Sequence, residues 1–173
     1  MSLLTPMLRS SPLTDWVSDA QRVQGLLEFE AALAQAQAAC GMVPTAVVGP
    51  IVAACRHEAI DFTALGEAAV GAGNLAIPLV KQLTAQVKAR DPNAARYVHW
   101  GATSQDAIDT GLVLQLRGAL DAAEQLLERL LAALAGQADR HCHSVMPGRT
   151  WMQHALPVTF GLKLAGTLDA LLR

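Results

Sequence analysis

Two short clusters of hydrogen-bonding side chains stand out in an otherwise apolar chain of 173 residues. The first, His99-Trp100-Gly101-Ala102-Thr103-Ser104-Gln105-Asp106, opens a long helical pattern. The second, Gly148-Arg149-Thr150-Trp151-Met152-Gln153-His154, lies just past the far end of that pattern. A helix start presents free N–H groups and the positive end of the helix dipole, so Thr103 and Ser104 sit at a natural anion site. Thr103 and Asp106 also have the T-x-x-D spacing of a cap, and capping alone is the competing reading of that pair. In the second cluster the bulkiest aromatic, Trp151, offers a flat apolar wall and one N–H donor; the competing reading is a buried core anchor.

These clusters need a scaffold, and the composition says which kind. The chain is 52% apolar but only 4% aromatic. Much of the apolar content is Ala and Leu, the strongest helix formers, while β-branched clusters are few, so the expected class is all-α. Formal net charge is −2 with acids and bases interspersed, which leaves no electrostatic footprint for nucleic acid. Cys40, Cys55 and Cys142 form no C-x-x-C pair, and the odd count predicts free thiols in a reducing cytoplasm. The opening MSLLTPMLRSSPLTD lacks the charged and apolar regions of a secretory leader, and no apolar run reaches the roughly 18 residues of a membrane span.

Local signals divide the chain into helices. Ser18-Asp19-Ala20-Gln21 has the form of a capping box, and Val23, Leu26, Leu27, Ala31, Ala34 and Ala38 recur at helical spacing until Gly41 and Pro44. A second helix is expected over 45–56, weakened by Gly49-Pro50, and Asp61 caps a third that ends near Gly71. Gly71-Ala72-Gly73-Asn74 is a break, and Pro78 suits the first turn of a helix through Lys88. From Thr103 to about Cys142 the pattern is unbroken, with Leu112, Leu116, Leu120, Ala123, Leu127, Leu130 and Leu134 in one stripe. A final helix is expected from Leu156 to Arg173.

Nearly 40 residues in one helix span roughly 60 Å, too long for a small globule and fitting a bundle or an elongated oligomer. The two clusters would lie at opposite ends of that rod, so a site using both requires antiparallel copies and is intersubunit. The stripe demands neighbours that the short earlier helices do not supply. The expectation is an N-terminal fragment, with 1–102 a helical domain and 103–173 the beginning of a central bundle.

HWGATSQDAIDT resembles the first signature region of the fumarase/aspartase superfamily, and GRTWMQHALPVTFG is similar to its second, usually Gly-Arg-Thr-His-x-Gln. With RVQGLLEFEAALAQAQAACGMVP and GAGNLAIPLVKQL, the resemblance covers essentially the whole chain and is closest to the lactonising branch, which cycloisomerises a carboxylated muconate in the β-ketoadipate route of aromatic catabolism. It implies an all-helical, aspartase-like fold and a cytoplasmic homotetramer whose active sites combine three subunits. It also implies a small tricarboxylate substrate, no metal, no organic cofactor, no nucleic-acid partner and no membrane partner.

By the same resemblance Thr103 and Ser104 bind one substrate carboxylate, and Thr150 and Gln153 another from a second subunit. Asn74 matches a substrate-contacting region. His99 is a carboxylate donor or proton-transfer group, with a structural histidine as the alternative, and Arg149 is a carboxylate clamp or a structural ion-pair partner. The third signature, a Gly-Ser-Ser-x-Met-Pro loop with the serine that handles the carbon-bound proton, is not among these residues, which implies that they are inactive alone. Trp151 stands where the lyases carry a His that protonates the leaving group. Such a proton donor is worth about 10²–10⁴-fold to an amine-releasing lyase. A carboxylate adding to its own double bond is already ionised at neutral pH and needs none. Two competing readings are a different lyase of the superfamily and a non-catalytic helical assembly module. His141-Cys142-His143 does not read as a metal site, because residues two apart on a helix diverge and no further ligand follows at suitable spacing.

Overall fold

The computed structural model describes residues 11–173, so the leader reading of residues 1–10 lies outside the described residues. The chain is mostly helical and divides into two compact units after Ala119.

In the first unit α1 spans Asp19–Ala39, and its start is where the capping pattern predicts: Ser18 Oγ accepts from the Gln21 N–H at 3.2 Å. The expected second helix is a 3-10 turn, Thr45–Val47, followed by the short α2, Val48–Ala54. Pro50 falls in the first turn of α2, where its missing N–H costs nothing. Asp61 caps α3, Phe62–Ala72, by accepting from Ala64 N–H at 3.0 Å, and Gly73 closes that helix at φ +74°. Helix α4 spans Ala76–Arg90, with Pro78 in its first turn. A 3-10 turn, Ala94–Tyr97, leads into the first polar cluster and α5, Ser104–Arg140.

The core of this unit joins α1, α2, α3 and α4 around Leu27, Ile51, Leu65, Leu79 and Leu83, each essentially removed from solvent. Each such side chain contributes about 1.5–3 kcal/mol by burial. The first turns of α5 join through Ala107 and through a backbone-to-backbone approach to α1. A Cβ on Gly25 would stand 2.7 Å from the Gly111 carbonyl oxygen, and one on Gly111 would stand 3.0 Å from the Leu26 nitrogen. Only glycine fits either position.

The all-α class holds, and the second unit adds to the rest of α5 one small hairpin that the sequence reading did not include. Val145–Thr150 (β1) and Gln153–Thr159 (β2) form an antiparallel hairpin. The expected helix from Leu156 therefore begins only at Phe160, as α6, Phe160–Leu171, with the Thr159 hydroxyl accepting from Leu162 N–H at 3.1 Å. On α5, Leu112, Leu116, Leu120, Leu127 and Leu130 are all exposed, so the stripe read from the sequence is open in the single chain. No helix among the described residues is long and apolar enough to cross a membrane.

Candidate active site

The first cluster is a loop strapped to one face of α1. Glu30 and Gln37, a helical i and i+7 pair, are both buried there. His99 Nδ1 lies 2.6 Å from Glu30 Oε1, and Gln37 Nε2 donates to the Trp100 carbonyl at 2.6 Å. His99 itself is left-handed, at φ +57°, and Gly101 follows at φ +70°. Such a conformation costs an L-residue roughly 1–2 kcal/mol, so the two straps must hold the loop against its own preference. Phe29 meets the His99 ring edge-on at 6.5 Å, and Tyr97 flanks Trp100 at 5.6 Å.

Glu30 is only 3% exposed, and its second oxygen, Oε2, has no hydrogen-bond partner. Burial pushes its carboxyl above the ordinary value, and the His99 hydrogen bond and charge pull it partly back. The Cys55 thiol is pushed up to about 12, first by its own burial and then by the negative charge of Glu30.

At the start of α5 the Asp106 carboxylate accepts from the Thr103 N–H at 2.9 Å, while Asp106 N–H donates to the Thr103 carbonyl at 3.1 Å. The carboxylate therefore performs the capping, and neither the Thr103 nor the Ser104 hydroxyl is engaged by another described residue. Asp106 caps the helix, and the two hydroxyls stay open beside its first N–H groups. Asn74 Oδ1 accepts from Ile77 N–H at 3.1 Å. Its side chain also borders a cavity of about 530 Å³ lined by Asp19, Arg22, Leu26, Ile108 and Gln115.

The second cluster is the tip of the hairpin. Thr150 pairs with Gln153 across the strands and Arg149 pairs with His154. Cross-strand partners share a face and neighbours along a strand alternate. Thr150 and Gln153 therefore share one face, and Arg149 lies on the other with His154. The two residues between them, Trp151 at φ +46° and Met152 at φ +62°, are both left-handed, the pattern of a type I′ turn. Trp151 is 94% exposed, so it anchors no core formed by the described residues themselves. Arg149 forms no ion pair among the described residues. It borders a shallow cavity of about 520 Å³ with Lys163, Leu156 and Val158. The structure thus brings His99, Thr103 and Ser104 into one segment of the first unit, and Arg149, Thr150, Trp151 and Gln153 onto one hairpin of the second. His141 Nδ1 lies 3.0 Å from the Ser144 hydroxyl, and no group of three metal-capable side chains occurs among the described residues.

Sequence reasoning missed Glu30 and Gln37, and the signal was present. Val23, Leu26, Leu27, Ala34 and Gln37 are buried at helical spacing, and Glu30 falls in the same stripe. An acid and an amide on a core-facing stripe need polar partners from elsewhere in the chain.

A sequence model of a family described as lyase matches residues 8–173. The 3-carboxy-cis,cis-muconate cycloisomerase of Pseudomonas aeruginosa is 59% identical over 164 residues, which are 95% of this chain and 36% of that protein. The protein of the same name from Bradyrhizobium diazoefficiens is 53% identical over 171 residues, 99% of this chain and 38% of its own length. Among solved structures, the 3-carboxy-cis,cis-muconate lactonizing enzyme from Pseudomonas putida superposes with a TM-score of 0.96 at 52% identity, covering 98% of this chain and 39% of that one. The chain spans little more than a third of the length of the curated relatives it matches.

Proposed function

We propose, because this chain belongs to the lyase family, that it supplies part of an enzyme that closes 3-carboxy-cis,cis-muconate to its carboxymuconolactone. Trp151 carries the reading. An indole has no titratable proton near neutral pH, and here it stands fully open at a hairpin tip where a lyase of the superfamily would place its proton donor. The resemblance to the cycloisomerases points the same way.

In this reaction one substrate carboxylate forms a C–O bond to the substrate's own alkene. The displaced electron pair moves onto the adjacent carbon, where a neighbouring carboxyl group stabilises it as an enolate. A proton delivered to that carbon completes the lactone with no change in composition. The protein's tasks are to position the chain of the diene and to stabilise the growing charge. The open hydroxyls of Thr103 and Ser104, with the first N–H groups of α5, hold one carboxylate. Thr150 and Gln153, on one face of the hairpin, hold another, and the Trp151 ring walls the planar diene. Arg149 reaches a carboxylate only from the hairpin's other face, and Asn74 contacts the substrate from the border of its cavity. His99 is the candidate donor to a carboxylate or to the developing lactone.

The two clusters meet in a cytoplasmic homotetramer in which neighbouring copies lie antiparallel. Residues 1–102 form its outer helical domain, and the chain from 103 opens its central bundle. The test is loss of muconate absorbance on addition of the full-length protein. Turnover of 3-carboxy-cis,cis-muconate with no release of ammonia or fumarate from amine-bearing succinates is the expected result. Turnover of those succinates alone would refute it.

A further inference from the structure

Glu30 is costly where it stands. It is 69 residues from His99 in sequence, nearly solvent-free, and satisfied at one oxygen only. A leucine in the same stripe would fill the core without the desolvation a buried carboxylate carries. What Glu30 does that leucine cannot is engage His99 Nδ1 at 2.6 Å. His99 also adopts a left-handed backbone that turns its ring back toward α1, and Gln37 pins the next residue through the Trp100 carbonyl. The His99 side chain retains 17% exposure, and no described residue takes its other ring nitrogen.

We propose that Glu30 is a positioning residue that fixes His99 as the Nδ1–H tautomer, leaving Nε2 as the one ring nitrogen free to meet a ligand. The inference rests on the reading of His99 as a member of the active site. Physically, the carboxylate accepts the Nδ1 proton, so the lone pair or second proton of the ring must be presented at Nε2. The straps at Glu30 and Gln37 hold the loop that carries it. Of the titratable groups around Glu30, Cys55 is the other buried one, and with its thiol pushed up to about 12 it stays neutral and does not compete for the proton.

The test combines ring-nitrogen spectroscopy with kinetics on the full-length protein. In magic-angle-spinning 15N spectra of histidine-labelled protein, with the His99 signals assigned by their loss in His99→Asn, Nδ1 is expected to be the protonated nitrogen. In Glu30→Leu the proton is expected to move to Nε2, with a lowered melting temperature from the lost strap, so the spectra are recorded well below it. Lactonisation kcat is then expected to fall roughly 10- to 100-fold with KM within about twofold, the cost of a misaligned group. Glu30→Gln, which keeps an acceptor, is expected to fall less. A wild-type His99 protonated at Nε2, or a Glu30→Leu protein whose His99 keeps the Nδ1 proton, overturns the inference; the first of these needs no variant to fold. If the tautomer switches but neither Glu30→Leu nor His99→Asn alters turnover, the positioning stands and the catalytic reading of His99 falls.

Discussion

The hairpin tip is held in a conformation its residues do not favour, and that yields a quantitative expectation. Trp151 and Met152 both have positive φ, each costing an L-residue roughly 1–2 kcal/mol. The double substitution Trp151→Asn, Met152→Gly places there the pair that type I′ turns prefer. Glycine at 152 removes its penalty, and asparagine at 151 removes part of one. Against this, glycine adds about 0.5–1 kcal/mol of freedom to the open state. Trp151 is 94% and Met152 101% exposed, so no burial within the chain is lost. The net gain is about 1–2 kcal/mol, a slowing of hairpin opening by roughly 5- to 30-fold. Amide hydrogen exchange at Thr150 and Gln153 reads this opening directly. Exchange that is unchanged or faster in the double variant would refute the claim that the turn is strained. In the full-length protein the proposed chemistry predicts that the same double substitution lowers lactonisation, because it removes the indole.

Trp151→His in the full-length protein is expected not to raise lactonisation, because the attacking carboxylate needs no proton donor; a tenfold or greater rise, as general-acid assistance would give, would contradict the proposed chemistry. Leu79→Ala, at a position 1% exposed, should destabilise the fold by about 2–5 kcal/mol in urea unfolding, and a loss under about 1 kcal/mol would mean the site collapses freely. Cys55 should resist alkylation in the native protein and react once unfolded, with its thiol pushed up to about 12. Its ionisation also sets an alkaline limit. As pH rises above the ordinary thiol value of 9.0, the unfolded chain ionises first, so stability falls between there and about 12, and Cys55→Ala should soften that fall in alkaline melts.

Much of the helical scaffold was legible because its boundaries are local events. Ser18 and Asp61 cap where their hydroxyl and carboxylate imply, and the run from Ser104 to Arg140 is one helix because nothing in it competes with the ladder. The hairpin was not legible, since Trp-Met carries none of the Asn-Gly chemistry that announces a type I′ turn, and Leu156-Pro157-Val158 reads as readily into a helix start as into a strand. The polar types of the site were visible, but their grouping was not. Thr150 and Gln153 share a face, and Arg149 is excluded from it, by strand pairing that only the register reveals. The partnership of Glu30 with His99 spans 69 residues, a tertiary fact for which helical spacing gives the need but not the partner.

At Gly25 and Gly111 the backbones of α1 and α5 meet directly, with the end of the Leu26 side chain beside them. Glu30 stands five positions along α1 from that contact, about 7.5 Å, and Ser104 seven positions along α5 from it, about 10 Å. Both ends of the first cluster are thus measured from one hard datum. A methyl group introduced at either glycine would propagate as an offset between the Glu30–His99 clamp and the start of α5, so the spacing within the first cluster is set at a place remote from its own side chains.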